Sequence, residues 1–379
     1  GAVKAVAGGI GPKEGARVWS RVTDTVRQPG STMEPIGPYA VAFENDIITY
    51  STVIEDGPVR ELNGNPWPVN YYYNPPYMGD ITVNTAIQRS CNTVAVKVCD
   101  MVTPQNIFNF LENNLHITSL VSPEDDPVNN DVNQSSMAIG GMTHGISPLE
   151  MGAAYQIFAN GGNYYEPHTY TRVLDSNGNV VLEKNTAPER AISFETATII
   201  NRLLYQVTHG PYGTGTTANL GTMPTIGKTG TSSDDFDQWF IGATPYYVGV
   251  VWMGYDENQQ IRYYSYPPPI LWRSIMQEVH QGLEYRDFEY SPNVVERLYC
   301  AETGQLAVEA CPSTIVGYYK ASNLPDECEL HLGLLEEEEE DSDEENSDDR
   351  TDDESSRNDS EEESSSRPGP DDDGYQSPF

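Results

Sequence analysis

Three short stretches carry side chains that could together run acyl chemistry: RQPGSTMEP at 27–35, SCN at 90–92 and KTGT at 228–231. A serine is a weak nucleophile until a base takes its proton. Ser31 follows the sharp-turn dipeptide Pro29-Gly30, so a helix starting at Ser31 or Thr32 would set it at an N-terminus. There, backbone N–H groups and the positive end of the helix dipole can hold a developing oxyanion. An ordinary helix cap would look the same. Glu34, three residues on, shares the helical face of Ser31. Ser90 and Asn92 pair a hydroxyl that can pass a proton with an amide that can fix a substrate amide, or they simply cap a break between helices. Gly230, between Thr229 and Thr231 and after Lys228, marks a strand that another backbone can approach. The ammonium and the two hydroxyls would hold a terminal carboxylate. A lysine guarding a solvent-facing edge strand fits equally well. Each motif alone is weak; all three in this order favour a serine acyl-transfer site.

These residues need elements to hold them. GAVKAVAGG at the start of the chain reads as a strand, with glycines and a connecting loop to residue 26. A helix follows from Ser31 or Thr32 with Pro35 in its first turn, where a missing N–H costs little. Residues 63–80 are rich in Asn, Pro and Tyr and read as loop. Thr103 caps a helix with Pro104 at its first position. The span 146–162 predicts a helix with Ser147 and Glu150 as a capping box, Ile146 stapled to Met151, and Gly161-Gly162 as its stop. A hairpin is expected over 169–184, a helix over 193–209 and antiparallel strands from 225 to 256. A final helix is expected over 270–283, with Leu271, Ile275 and Val279 as its apolar face. The order predicts an α+β domain: an antiparallel sheet flanked by helices, with a helical block inserted, over 1–287. A small appendage at 288–325 and an acidic tail at 326–379 complete the chain.

After Leu335 the sequence is almost devoid of apolar residues and supplies about half of the net charge of −36. Such a segment cannot bury enough surface to offset its ordering entropy and is expected to be disordered. Acidic blocks of this kind oppose binding to nucleic acid or anionic lipid through bulk charge. No stretch of eighteen apolar residues exists to span a membrane, and no signal peptide is evident. A start inside a strand suggests a fragment of a longer protein. The five cysteines, Cys91, Cys99, Cys300, Cys311 and Cys328, form no CxxC pair. No cluster of histidines lies near them, so a zinc site is not expected. Cys300 and Cys311 could bridge a short loop.

From residue 2 to about 313 the chain resembles the transpeptidase domain of the large bifunctional (class A) penicillin-binding proteins of bacteria, especially Gram-positive types. The resemblance lies in RQPGSTMEPIGPYA (27–40), GDITVNTAIQRSCN (79–92), THGISPLEMGAAYQIFANGG (143–162) and GKTGTSSDDFDQWFIGATP (227–245). It implies a penicillin-binding transpeptidase or serine β-lactamase-like fold with a cleft between sheet and helical block. Ser31 matches the acylated serine. Ser90 matches the proton relay, Asn92 the peptide-binding amide, and Lys228, Thr229, Gly230 and Thr231 the strand that receives the substrate carboxylate. The N–H groups of Ser31 and Thr231 would form the oxyanion hole. The implied reaction removes a terminal D-alanine from a peptidoglycan stem peptide, forms an acyl-enzyme, and passes the acyl group to an amine of a neighbouring strand. β-Lactams would be trapped on the same serine. No metal or organic cofactor is implied. A membrane anchor and a glycosyltransferase domain precede this region in the family, which works at the extracytoplasmic face of the membrane beside other cell-wall synthesis or division proteins.

One position departs from the family motif SxxK: Glu34 replaces its lysine. A carboxylate is a far weaker base than an amine. The reversal of charge predicts an ion pair between Glu34 and Lys228, with acylation slow or absent. Three readings stay open. Glu34 or Ser90 serves as base in a working transpeptidase; the domain is a catalytically impaired module for peptide binding or scaffolding; or a single base change has altered a lysine codon. A β-lactamase is disfavoured, because nothing places a glutamate to drive deacylation.

Overall fold

Local capping chemistry sets most helix starts. The computed structural model describes residues 1–332 except 10, 13, 14, 17, 72, 73, 263 and 264. A helical run begins with a 3₁₀ turn at Gly30–Thr32, passes through a π segment at Pro35–Tyr39 and ends in α1 (Ala40–Glu44). Pro35 and Pro38 lack the N–H groups that a regular α ladder needs, which accounts for the altered winding. Thr82 caps α2 (Val83–Arg89), and α3 (Asn92–Val102) follows after one break. Thr103 caps α4 (Pro104–Asn113) and Asn133 caps α5 (Gln134–Ile139). Ser147 and Glu150 form a complete capping box on α6 (Pro148–Tyr155), and Ser193 caps α7 (Phe194–His209). Helix α8 spans Pro267–Val279, and residues 329–332 are again helical.

The strands nest. β1 (Val53–Asp56) pairs with β4 (Gly79–Thr82) around the small hairpin of β2 (Arg60–Leu62) and β3 (Asn65–Trp67). β5 (Asn163–Tyr164) pairs with β8 (Glu189–Arg190) around the expected hairpin, β6 (Arg172–Leu174) with β7 (Val180–Glu183). The expected antiparallel sheet is β9 (Ile226–Thr231), β10 (Asp237–Ala243) and β11 (Val248–Gly254), in the order β11-β10-β9. β10 is buried along its whole length, and its alternation sorts side chains to two faces. Trp239 and Ile241 join the main core with α3 and α7. Phe240 joins a second cluster with Trp272 and Met276 of α8. Lys228 pairs with Ile241, and Gly230 with Trp239, so β9 turns these two residues toward the helical block. A hairpin of β12 (Val294–Cys300) and β13 (Thr314–Lys320) follows α8.

The structure adjusts some expectations. Among the described residues of 1–26 no strand forms; Ala2 makes a single bridge to His168. The helix expected over 146–162 ends at Tyr155 and tightens to a 3₁₀ turn at Gln156–Phe158 before the positive-φ glycines 161 and 162. The helix expected at 270–283 starts at Pro267 and ends at Val279. Leu271, Ile275 and Val279 do share a face, but it is the outer one, 51%, 48% and 46% exposed; Trp272 and Met276 face the sheet instead. Within 288–325, expected as a small appendage, Tyr299 and Tyr319 of the hairpin enter the main core. Residues 326–332, expected in the tail, include the buried Cys328 and His331. The remainder of the acidic tail lies outside the described residues.

Candidate active site

The segment before Ser31 is fixed from several sides. Arg27 exchanges both backbone hydrogen bonds with Ile146, at 3.1 and 2.9 Å. The Gln28 side chain accepts from Met142 N at 2.6 Å and donates to Met142 O at 2.9 Å. Trp239 Nε1 donates to Gln28 O at 2.8 Å. Gly30 has φ +54°, and a Cβ there would overlap the Thr231 backbone; a Cβ on Gly140 would overlap Gly30 in turn, and one on Gly230 would overlap Pro29 O. Only glycine permits this close approach of three backbones. Tyr155 Oη then donates to Thr32 O at 2.7 Å. Ser31 is thus held beside the edge strand β9, partly accessible.

Ser90 ends α2 in the left-handed region (φ 56°, ψ 56°), with its N–H on Ile87 O and the next N–H on Ala86 O. This is a Schellman-type stop, and it turns the hydroxyl toward the helix that carries Glu34. Ser90 Oγ donates to Glu34 Oε1 at 2.9 Å and accepts from Lys228 Nζ at 2.5 Å. Lys228 Nζ also lies 3.1 Å from Glu34 Oε2, with both side chains 0% exposed. The expected ion pair is therefore present, and it closes a three-member ring through Ser90. Burial drives the Lys228 ammonium below its ordinary pKa, while the Glu34 charge and its hydrogen bond push back upward. Glu34 also helps burial to push the Tyr39 and Tyr155 phenols well above the usual range.

Asn92 starts α3 and faces the serine: Ser31 Oγ donates to Asn92 Oδ1 at 3.4 Å, and Asn92 Nδ2 donates to Val69 O at 2.7 Å. Among the described residues, no hydrogen bond joins Ser31 Oγ to Glu34, Ser90 or Lys228. On β9, Thr229 Oγ1 lies 2.7 Å from Thr214 Oγ1, and Thr231 Oγ1 donates to Tyr266 Oη at 3.3 Å. Tyr266 Oη donates to Gly230 O and accepts from Trp239 N, clamping the strand pair. The anticipated residues therefore meet around β9, with one change of duty. Lys228 points inward to Glu34 and Ser90, so its ammonium is buried; Thr229 is buried as well, and Thr231 at the strand end is half-buried. Gln28, Gly140, Thr214 and Tyr266 escaped the reading of the sequence, since none belongs to a compact motif.

The chain can be compared with known proteins on this footing. Residues 8–267 match the family of the penicillin binding protein transpeptidase domain. Among curated proteins, penicillin-binding protein 1A of Clostridium botulinum (strain Langeland / NCTC 10281 / Type F) is 35% identical over 306 residues, covering 78% of this chain and 35% of that protein. Penicillin-binding protein 4 of Bacillus subtilis (strain 168) is 31% identical over 264 residues, covering 69% of this chain and 40% of that protein. The chain thus spans roughly a third to two-fifths of these curated relatives. Among solved structures, penicillin-binding protein 1A from Haemophilus influenzae superposes with a TM-score of 0.67 at 21% identity, over 81% of this chain and 50% of that one. The PonA1 protein from Mycobacterium tuberculosis in complex with penicillin V gives 0.60 at 21% identity, over 73% and 74%. These likenesses show a shared fold. Taken with the family match over most of its described length, they establish that the chain belongs to the penicillin-binding protein transpeptidase domain family.

Proposed function

We propose that the domain binds the D-alanyl end of peptidoglycan stem peptides along β9, takes β-lactams in the same groove, and acylates Ser31 slowly. In acylation Ser31 Oγ bonds to the carbonyl carbon of the penultimate residue, the bond to the terminal D-alanine nitrogen breaks, and the serine proton must reach that leaving amine. Asn92 and the hydroxyls of Thr229 and Thr231 would position the peptide, and the N–H groups of Ser31 and Thr231 would take the oxyanion. Water or, in cross-linking, an amine of a second strand would then release the acyl group.

One observation carries the slow rate: the buried ring of Glu34, Ser90 and Lys228. Ser90 already gives its proton to Glu34 and its lone pair to Lys228, and the Glu34 carboxylate favours the charged, non-basic form of Lys228. No base is left free to deprotonate Ser31, and losing one typically costs ~10²–10⁴ in rate. The orientation of Ser31 toward Asn92 supports a second reading, in which the domain only binds or scaffolds wall peptide. Incubation with a fluorescent penicillin, followed by intact-mass and peptide analysis, separates the two. A slow adduct on Ser31, accelerated in Glu34→Lys, supports the first. Saturable binding with no adduct in either protein supports the second. Among the described residues no helix is long and apolar enough to cross a membrane. A place at the extracytoplasmic face, an anchor in the full-length protein and contact with other wall-synthesis proteins follow from family membership alone and belong to the same proposal.

A further inference from the structure

Three of the five cysteines and one histidine meet at the connecting-loop end of the C-terminal hairpin. Cys300 is the last residue of β12, Cys311 lies in the connection to β13, and Cys328 and His331 follow after the hairpin. One ligand atom from each of the four lies within 4.8 Å of the other three, and Cys300, Cys328 and His331 are buried. None of the thiols is in a disulfide. His331 Nδ1 stands 3.2 Å from Cys328 Sγ and 3.5 Å from Cys300 Sγ. A tetrahedral zinc ion with sulfur at about 2.3 Å and nitrogen at about 2.0 Å keeps its donor atoms roughly 3.5–3.8 Å apart. The two His331 Nδ1–sulfur separations already sit close to that figure.

The surroundings are those of a ligand set and not of a chance cluster. The turn after Cys300 is closed by Cys300 N on Gln305 O (2.8 Å) and Gly304 N on Cys300 O (2.9 Å). Val308 N donates to Cys311 Sγ at 3.4 Å, and Thr303 Oγ1 lies 3.3 Å from Cys328 Sγ. A parallel bridge between Leu306 and Glu327 brings the Cys328 segment alongside the Cys300 turn. His331 turns Nε2 to Glu302 Oε2 at 3.6 Å, which leaves Nδ1 as the metal-facing nitrogen. A carboxylate on the remote ring nitrogen is the usual partner of a ligating histidine. A disulfide between any two of the thiols would leave the third cysteine and the histidine without a role.

We propose that Cys300, Cys311, Cys328 and His331 form a structural zinc site of the Cys₃His type that ties the hairpin to the chain after it. Thiolates and an imidazole select zinc over calcium or magnesium, which take oxygen. Four protein ligands fill the coordination shell and leave no position for substrate, so the site is structural. Loading forms three Zn–S bonds and one Zn–N bond and sends the three thiol protons to solvent. An isolated two-stranded hairpin is marginal, and this one leaves Leu298, Ile315 and Val316 exposed. It also touches the helix that ends in Ser90, because Asn84 of α2 donates to Tyr299 Oη at 3.3 Å. The ion would brace that helix from outside without entering the chemistry.

The test is metal content of the untagged full chain, purified under reducing conditions without added metal, by plasma mass spectrometry. About one zinc per chain is expected. Exchange with cobalt(II) should give an intense thiolate-to-cobalt charge-transfer band and the visible bands of a tetrahedral ion. Cys311→Ser, at the most accessible ligand, should lose the zinc and the charge-transfer band, and Cys99→Ala, outside the cluster, should keep both. A folded unaltered chain that binds neither zinc nor cobalt overturns the proposal, as does a disulfide between two of the three cysteines in freshly purified protein.

Discussion

Glu34 and Lys228 face each other at 3.1 Å with neither side chain exposed to solvent. Two charges so deeply buried are tolerable only as a pair, and removing one leaves the other uncompensated. Glu34→Gln should therefore lower stability by about 3–5 kcal/mol in denaturant unfolding. Replacing both by apolar residues, Glu34→Met with Lys228→Leu, should cost less than the sum of the two single changes. Additive losses would mean that the two side chains are not coupled.

The pair also sets a pH dependence for the reaction. Burial lowers the Lys228 pKa from 10.5, and Glu34 opposes that shift. As pH rises, the neutral amine appears and, in the proposed acylation, supplies the base that Ser31 otherwise lacks. The rate of penicillin labelling should rise with pH through a midpoint below 10.5. In Glu34→Gln the opposing charge is gone, so the midpoint should move to still lower pH. A flat profile, or a midpoint that rises in the variant, would exclude Lys228 from the proton path.

Gly30 occupies positive φ where a Cβ would meet the Thr231 carbonyl. Gly30→Ala carries roughly 1–2 kcal/mol of backbone strain and must also push β9 away from Ser31. Labelling should fall by at least tenfold while far-ultraviolet circular dichroism stays unchanged. Unaltered labelling would show that the separation of Ser31 from β9 is not critical.

How much of this was legible in sequence depended on the range of the interaction. Thr103, Ser147 and Ser193 each cap a helix through a partner three residues away, so their signals are local and the helix starts were readable. The three site motifs were readable because each is compact, although their convergence needs the fold. Leu271, Ile275 and Val279 gave a correct period on the wrong face, since periodicity does not say which of two apolar stripes meets the sheet, and Trp272 with its larger area does. The cysteine cluster was only partly local, with Cys328 and His331 three residues apart. His331 stands 31 residues beyond Cys300, and only pairing of the intervening strands brings them together. Likewise Tyr266 reaches β9 from the start of α8, with no motif to mark it.

Tyr39, Tyr50 and Tyr155 are buried, and burial raises each phenol well above 10.0; the Cys99 thiol is likewise pushed up to about 12. For these groups the unfolded chain loses protons first. Their stabilising contribution is complete below the unfolded pKa and declines as pH climbs toward the folded value. Stability in urea should therefore drop steeply above about pH 10, and the last part of the tyrosinate absorbance should appear together with loss of circular dichroism. Full tyrosinate absorbance in a still-folded protein would contradict this.

The central claim is that the Glu34–Ser90–Lys228 ring withholds a base from Ser31. It is tested most directly by the second-order rate of penicillin acylation at Ser31, measured by mass spectrometry for the unaltered chain and for Glu34→Lys side by side. The account predicts a rate about 10²–10⁴ lower in the unaltered chain. Equal rates, with a stoichiometric adduct on the unaltered chain within minutes, would contradict it.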